Sequence, residues 1–391
     1  MSKQSTQISG KLSRLSVYLV SFLFALHITP LLYIYSSFLG EHFSSTVVSM
    51  LYTVSGICAL LAFIYIRQWL RRFGNYRVIL TLVICEAVSL FIFAYSSSAL
   101  LVAGAFIVSF MVGTLTFLCL DIFLEKLTRN SDTGGVRGLY LTCINLAYVA
   151  GPLMSALILR SYQFQLVFIV SMLLLLPVLY ILIRYFRNFK DPEYHEPDML
   201  MTIRCVWSNK DFNSIFSVAI LLRFFFAWMV IYTPVFLHST LGFSFSEIAL
   251  IIGCGLIPYV LLQAFLGRIA DKSYGEKEIL ILGFAIMVVS TIAIGFVHVP
   301  ILLLWIGLIF ATRVGACMVE VMGETYLFKN IDAKNLNVIS IYRLLDSCVY
   351  IIAPLIGSAI LLKLDFTYLF SILGALMLLG IHFSLRLKDT R

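Results

Sequence analysis

Charge is scarce in this chain: 12% of its 391 residues are Asp, Glu, Lys or Arg, against 61% hydrophobic residues and a mean hydropathy of +0.99. So little polarity excludes a soluble globular domain, which could not bury that much apolar surface around one core. Nucleotide and metal patterns are missing too. There is no P-loop, no HExxH and no GxSxG, and none of the eight cysteines stands in a CxxC pair. ATP-driven work, intramembrane hydrolysis, a bound metal and a cofactor therefore have no support, and the chain reads as non-enzymatic. The cysteines lie mostly in apolar runs and read as reduced, buried thiols. A net charge of +8 would suggest nucleic acid in a soluble protein; in a chain solvated by lipid, what matters is the side on which the cations collect.

What the chain has in abundance is long apolar runs. They fall near 15–38, 45–67, 77–97, 99–124, 138–160 and 164–186, then near 213–238, 247–267, 278–298, 300–327, 336–362 and 366–386. Each is about 20 residues or more, enough to cross about 30 Å of hydrocarbon. The first is too long for a secretory signal core and is expected to be a span. The pattern predicts an all-α membrane protein of about twelve transmembrane helices in two pseudo-symmetric six-helix bundles, 1–186 and 213–391. Residues 187–212 are expected to be a linker, with a short surface helix near 199–207. Arg160 and Lys363 are the only cations expected in loops on one side, so both termini and the linker are expected to be cytoplasmic.

The two halves repeat each other. AYVAGPLMSALIL from Ala147 aligns with VYIIAPLIGSAIL from Val349, pairing Tyr148 with Tyr350 and Pro152 with Pro354, and the same offset pairs Gly113 with Gly315. An even number of spans separates the copies, which makes the repeat a parallel one.

Between the eighth and ninth spans, GRIADKSYGEKEI, Gly267 to Ile279, is similar to the G-x-L-a-D-r-x-G-r-r loop of the major facilitator superfamily. Together with the twelve-span repeat, the chain resembles that family of secondary transporters over nearly its whole length. The resemblance implies a monomer in the cell membrane that moves a small solute by alternating access. An ion gradient or the solute itself is expected to supply the energy, with protons as a candidate coupling partner, and no cofactor, metal or nucleic acid is implied. It also implies a cytoplasmic gate at Gly267 and Asp271, with Gly74 and Arg71 as the first-half candidates, Arg71 being equally explained by the positive-inside bias. The first-half loop, RQWLRRFGNYRVI from Arg67, departs from the pattern: it keeps Gly74 but has Arg71 where the carboxylate would stand. Asp121, Glu125, Glu320 and Glu324 fall at the cytoplasmic ends of the fourth and tenth spans and are expected as further gate or anchor residues.

Five ionisable residues lie at mid-depth: His27, Glu86, Arg223, Arg313 and Asp346. An arginine facing lipid costs at least about 2.5–3.5 kcal/mol, so each needs a partner. One reading joins Arg223, Arg313, Asp346 and His27 into a substrate-binding site, with Tyr148 and Tyr350 among its walls. If Asp346 answers one arginine, a cation is left over, and the solute would be anionic or carboxylate-bearing. The other reading makes them buried structural pairs, with Arg343 as a partner of Asp346. Asp346 and Glu86, as carboxyls in dry sites, are candidate proton carriers, although Glu86 bonded to a neighbouring hydroxyl is an equal reading. Tyr140 and Tyr342 also recur at the repeat offset, with ordinary packing as their competing explanation. Two other functions stay open: a proton-driven exporter of amphipathic or drug-like compounds, and a transporter-like receptor or scaffold.

Overall fold

The computed structural model describes residues 2–127, 133–159, 164–192, 204, 206–272, 275–330 and 336–388. Its principal elements are helices: α1 (Ser2–Leu32), α2 (Tyr35–Gly40), α3 (Ser45–Phe73), α4 (Asn75–Tyr95), α5 (Ala99–Leu127), α6 (Thr133–Ile158) and α7 (Phe164–Tyr185), followed by α8 (Lys210–Ser239), α9 (Phe245–Gly255), α10 (Ile257–Lys272), α11 (Glu276–Phe296), α12 (Leu302–Asn330), α13 (Leu336–Leu361) and α14 (Phe366–Arg386). Twelve helical stretches among the described residues are long and apolar enough to cross a membrane, as the apolar runs predict. Most of the expected surface helix near 199–207 lies outside the described residues.

Proline is accommodated inside most of the helices that carry it. Pro30, Pro152, Pro234 and Pro354 all sit inside continuous helices. The eighth span does break, at Leu256 between α9 and α10, because Pro258 has no N–H to offer the carbonyl of Cys254 one turn back. Helix starts have local causes. Asn209 caps α8 by accepting from the backbone N–H groups of Asp211 and Phe212 at 2.9 and 3.3 Å, and Ser244 with Glu247 forms a reciprocal capping box on α9. At the end of α5, the Arg14 guanidinium donates to the Leu127 carbonyl at 2.8 Å, where a cation suits the helix dipole.

The chain divides into two compact units. The first comprises Met1–Phe43 and Val54–His195, the second Ser44–Thr53 and Glu196–Arg391. In the first, α1 packs on α5, α6 and α7, and α4 packs on α5 and α7. In the second, α8 packs on α12, α13 and α14, and α11 lies between α12 and α14. The first turns of α3 belong to this unit: Thr53 Oγ1 donates to the Ile351 carbonyl at 3.2 Å, and Ser49 shares a 3.1 Å hydrogen bond with the Tyr232 hydroxyl.

The repeated segment is a packing point in both units. On α6, the Ala147 carbonyl accepts from Thr29 of α1 at 2.9 Å, and a methyl group on Gly151 would overlap that threonine. On α13, the carbonyls of Ala353 and Pro354 accept from the Trp228 indole and the Tyr232 hydroxyl of α8 at 2.7 and 2.9 Å. A methyl on Gly357 would lie 2.5 Å from the Tyr232 ring. Small residues let the helices touch, and the hydrogen bonds then form without water. Trp228 and Trp305 are fully buried, and the Trp305 indole donates to the Val299 carbonyl at 2.9 Å. The seven described cysteines are unpaired.

Candidate functional site

In the second unit, α8 carries Arg223, α12 carries Arg313, Glu320 and Glu324, and α13 carries Tyr342 and Asp346 on one face, a helical turn apart. Arg223 Nε lies 3.1 Å from Asp346 Oδ1, and Nη1 donates to the Ala219 carbonyl at 3.4 Å. The guanidinium sits 4.3 Å above the Tyr342 ring centre. The pair is lopsided, since the Arg223 side chain is 12% exposed and that of Asp346 57%. An ion pair with so open a carboxylate contributes no more than about 1 kcal/mol, whereas the ring face beneath the cation contributes about 0.5–2 kcal/mol. The cation is held; its counter-ion is removable.

Arg313 is 2% exposed and lies between two rings, 5.6 Å from the centre of Phe225 and 5.7 Å from that of Phe226. Its Nε has no hydrogen-bond partner among the described residues. At those distances each ring offsets about 0.5–1 kcal/mol, less than the cost of a buried guanidinium. An acidic side chain shares this environment: Glu320, seven residues further along α12, interacts electrostatically with Glu324, Arg223 and Asp346, and least with Arg313.

Two expectations change here. Glu320 and Glu324, assigned from sequence to a helix end apart from the mid-depth charges, join the arginine cluster. The spacing of seven from Arg313 to Glu320 is two helical turns, so both lie on one face of α12. The surplus cation disappears with this, because among the described side chains two guanidiniums meet three carboxylates. Asp346 is also an open carboxylate rather than a dry one, which removes the premise for reading it as a buried proton carrier.

In the first unit, His27 and Glu86 are both wholly buried, with His27 Nε2 3.5 Å from Glu86 Oε1. The Ser109 hydroxyl donates to the same carboxyl oxygen at 2.8 Å, and Tyr35 bonds Ser109 at 2.8 Å. Glu86 is thus the dry carboxyl, and it is bonded to a hydroxyl. Of the tyrosines, Tyr148 is half-buried on α6, and Tyr350 is half-buried and stacked on Tyr52 with ring centres 6.2 Å apart. Tyr342, rather than Tyr350, lies against Arg223. Its signal in the sequence was its place four residues before Asp346. Ser109 and Tyr35 had no signal of that kind.

The first-half loop acquires its carboxylate from elsewhere. Gly74 has φ +78°, a conformation open to glycine, and α4 begins at the next residue. There Asp191, beyond the end of α7, accepts from the Asn75 N–H at 2.8 Å, and its second oxygen would lie 2.7 Å from a Cβ on Gly74. The Asn75 side chain donates to the Cys119 carbonyl at 2.9 Å. Asp191 therefore provides an anion at a helix N-terminus, while Arg71, in the motif position, is exposed. Arg71, Arg72, Arg77, Arg187 and Asp191 line an open pocket of about 580 Å³. On α5, Asp121 is half-buried and Glu125 exposed. Gly267 and Asp271 fall in the last turns of α10, and their side-chain surroundings lie outside the described residues.

The profile of the Major Facilitator Superfamily matches residues 17–255 and 215–391. A Na(+), Li(+), K(+)/H(+) antiporter of Planococcus maritimus is 26% identical over 162 residues, which is 40% of this chain and 37% of the antiporter's length. Among solved structures, a point mutant of the nucleoside transporter NupG superposes with a TM-score of 0.77 at 11% identity, covering 96% of this chain and 100% of that one. A second NupG structure gives 0.76 at 11% identity, covering 95% and 98%. At such identity the likeness is one of fold.

Proposed function

The chain belongs to the major facilitator superfamily and is a multi-pass membrane protein, and from that premise we propose an ion-coupled secondary transporter that moves a small carboxylate-bearing solute by alternating access. We place it in the cell membrane as a monomer with both termini cytoplasmic, since nearly all loop cations fall on that side.

The asymmetry of the Arg223 and Asp346 pair carries this reading. Arg223 is fixed by the Tyr342 ring and the Ala219 carbonyl, while its counter-ion stands mostly in the open. A solute carboxylate can take the place of Asp346, offering the planar guanidinium two oxygens where it now meets one. Asp346 then returns to its own exposed surroundings at little cost. Arg313, enclosed by Phe225 and Phe226, positions Glu320 instead of meeting the solute.

A second reading has its own support. Three carboxylates against two guanidiniums suit a monovalent cation exchanged for a proton, and the partial likeness to a cation/proton antiporter points the same way.

The test is uptake of radiolabelled lactate, succinate and sodium into proteoliposomes, with and without a pH gradient. Carboxylate flux is expected, falling at least about tenfold in Arg223→Gln while thermal unfolding is unchanged. In Asp346→Asn the KM for the carboxylate should fall, because the competing anion is gone. Sodium flux lost in Asp346→Asn would establish the second reading, and absence of flux for every probe would favour the receptor.

A further inference from the structure

The two repeat loops differ in charge balance. In the second half, GRIADKSYGEKEI sets three cations against three carboxylates, whereas RQWLRRFGNYR, Arg67 to Arg77, holds four arginines and no carboxylate. The positive-inside bias accounts for the cations but not for the missing counter-ions, since Asp and Glu weigh little in it. Arginines gathered in this way repel one another unless an anion joins them.

The fold collects the arginines into one hollow. Arg71 and Arg72 come from the last turn of α3, Arg77 from the first turn of α4 and Arg187 from the segment after α7, and all four line the open pocket of about 580 Å³. That volume lies within the ~300–1,000 Å³ usual for small-molecule sites. Its walls are fixed: Phe186 and Phe189, on either side of Arg187, each pack on Phe123 of α5 with ring centres 4.6 Å apart. The one carboxylate among the lining residues, Asp191, is engaged by the Asn75 N–H at 2.8 Å. Among the described residues, Arg72, Arg77 and Arg187 form no ion pair. Tyr76 adds a hydroxyl to the same wall.

The face of α4 that starts at Arg77 continues as bare hydrocarbon. Ile84, Val88 and Phe91 follow Arg77 at helical spacing, and all are exposed. Val88 lies about 16 Å along the helix from Arg77, half of a hydrocarbon core about 30 Å thick.

We propose that the hollow binds the phosphate headgroup of an anionic phospholipid, whose chains lie along the Ile84, Val88 and Phe91 face of α4. Guanidiniums suit this group because their planar forks meet phosphate oxygens in pairs, and basic pockets beside transmembrane helices take such headgroups. One headgroup then joins α3, α4 and the segment after α7, so the stability of the first unit depends on the lipid. A soluble phosphate compound shares the headgroup's chemistry but gains nothing from the apolar face. The site is independent of what the chain transports.

The probe is phosphatidylglycerol, titrated against the full chain in neutral detergent and followed by native mass spectrometry and thermal unfolding. It should bind and raise the unfolding temperature, whereas phosphatidylcholine, with no net charge, should do neither. The triple variant Arg72→Gln, Arg77→Gln, Arg187→Gln should weaken phosphatidylglycerol binding at least about tenfold. A charge-matched control in the second unit, Arg204→Gln, Lys210→Gln, Arg386→Gln, should leave it nearly unchanged. Should the first triple variant fail to fold, Arg72→Gln and Arg187→Gln taken singly must each weaken binding about threefold. Inorganic phosphate and glycerophosphoglycerol, the headgroup without its chains, should compete only weakly. Equal losses in the two triple variants, or equal binding of phosphatidylcholine, would overturn the proposal. Displacement of the lipid by either soluble anion at like concentration would overturn it in favour of a soluble ligand.

Discussion

The two units share a scaffold and differ in how they accommodate ionisable groups away from water. The first buries one imidazole and one carboxyl and completes them with hydroxyls, Ser109 and Tyr35. The second assembles arginines and carboxylates and steadies the guanidiniums on Tyr342, Phe225 and Phe226. At the repeat offset His27 corresponds to Met229 and Glu86 to Val288, while Arg223 corresponds to Ser21 and Arg313 to Met111. None of these four ionisable positions is shared, although Tyr342 has its counterpart in Tyr140. The repeated segment packs on the first helix of its unit in both copies, but through different residues: Ala147 with Thr29 in one, Ala353 with Trp228 in the other, where the counterparts are Val349, Ile231, Gly151 and Leu26. After a duplication, a helix contact is kept in both copies while its side chains change, whereas a costly buried charge persists only where it gains a partner or a task.

That contrast can be broken most forcefully at Arg313. Arg313→Leu removes one of the two guanidiniums that face the buried Glu320, Arg223 remaining, and should cost about 3 kcal/mol, the lower end for a broken buried pair, read as thermal unfolding in detergent. Ser109→Ala removes a neutral donor and should cost only about 1–2 kcal/mol. Equal losses would mean that the second unit depends no more on charge than the first. The packing points give a middle-sized effect. Gly151→Ala and Gly357→Ala should each destabilise by about 1–3 kcal/mol, with Gly151→Ala the worse, because Thr29 is branched and bonded whereas the Tyr232 ring can swing. The reverse order would show that the Thr29 side chain yields more readily than the Tyr232 ring. The smallest effect is expected at the linker: Asp191→Asn should cost about 0.3–1 kcal/mol, read as faster proteolysis near the start of α4. No change there would mean that Asp191 does not substitute for the carboxylate missing at Arg71.

The spans were legible because apolar runs of this length have few alternatives, and the repeat was legible because Tyr, Pro and Gly stand out against Leu and Phe. The site was legible only in part. Arg223 and Asp346 were singled out by depth, yet their partners depend on which helix faces meet, and no single-chain pattern reports that. Glu320 was assigned to a helix end because its distance was counted along α12 alone, while its side chain shares a face with Arg313. Asp191 lies far along the chain from Gly74, so the gap at Arg71 could be seen in the sequence but not what fills it.

The tryptophans make the two units optically unequal. Trp228 and Trp305, both sealed and hydrogen-bonded, belong to the second unit, whereas Trp69 is 39% and Trp207 53% exposed. The two sealed indoles therefore belong to one half of the molecule. A change in their fluorescence on denaturation would report the loss of packing in the second unit.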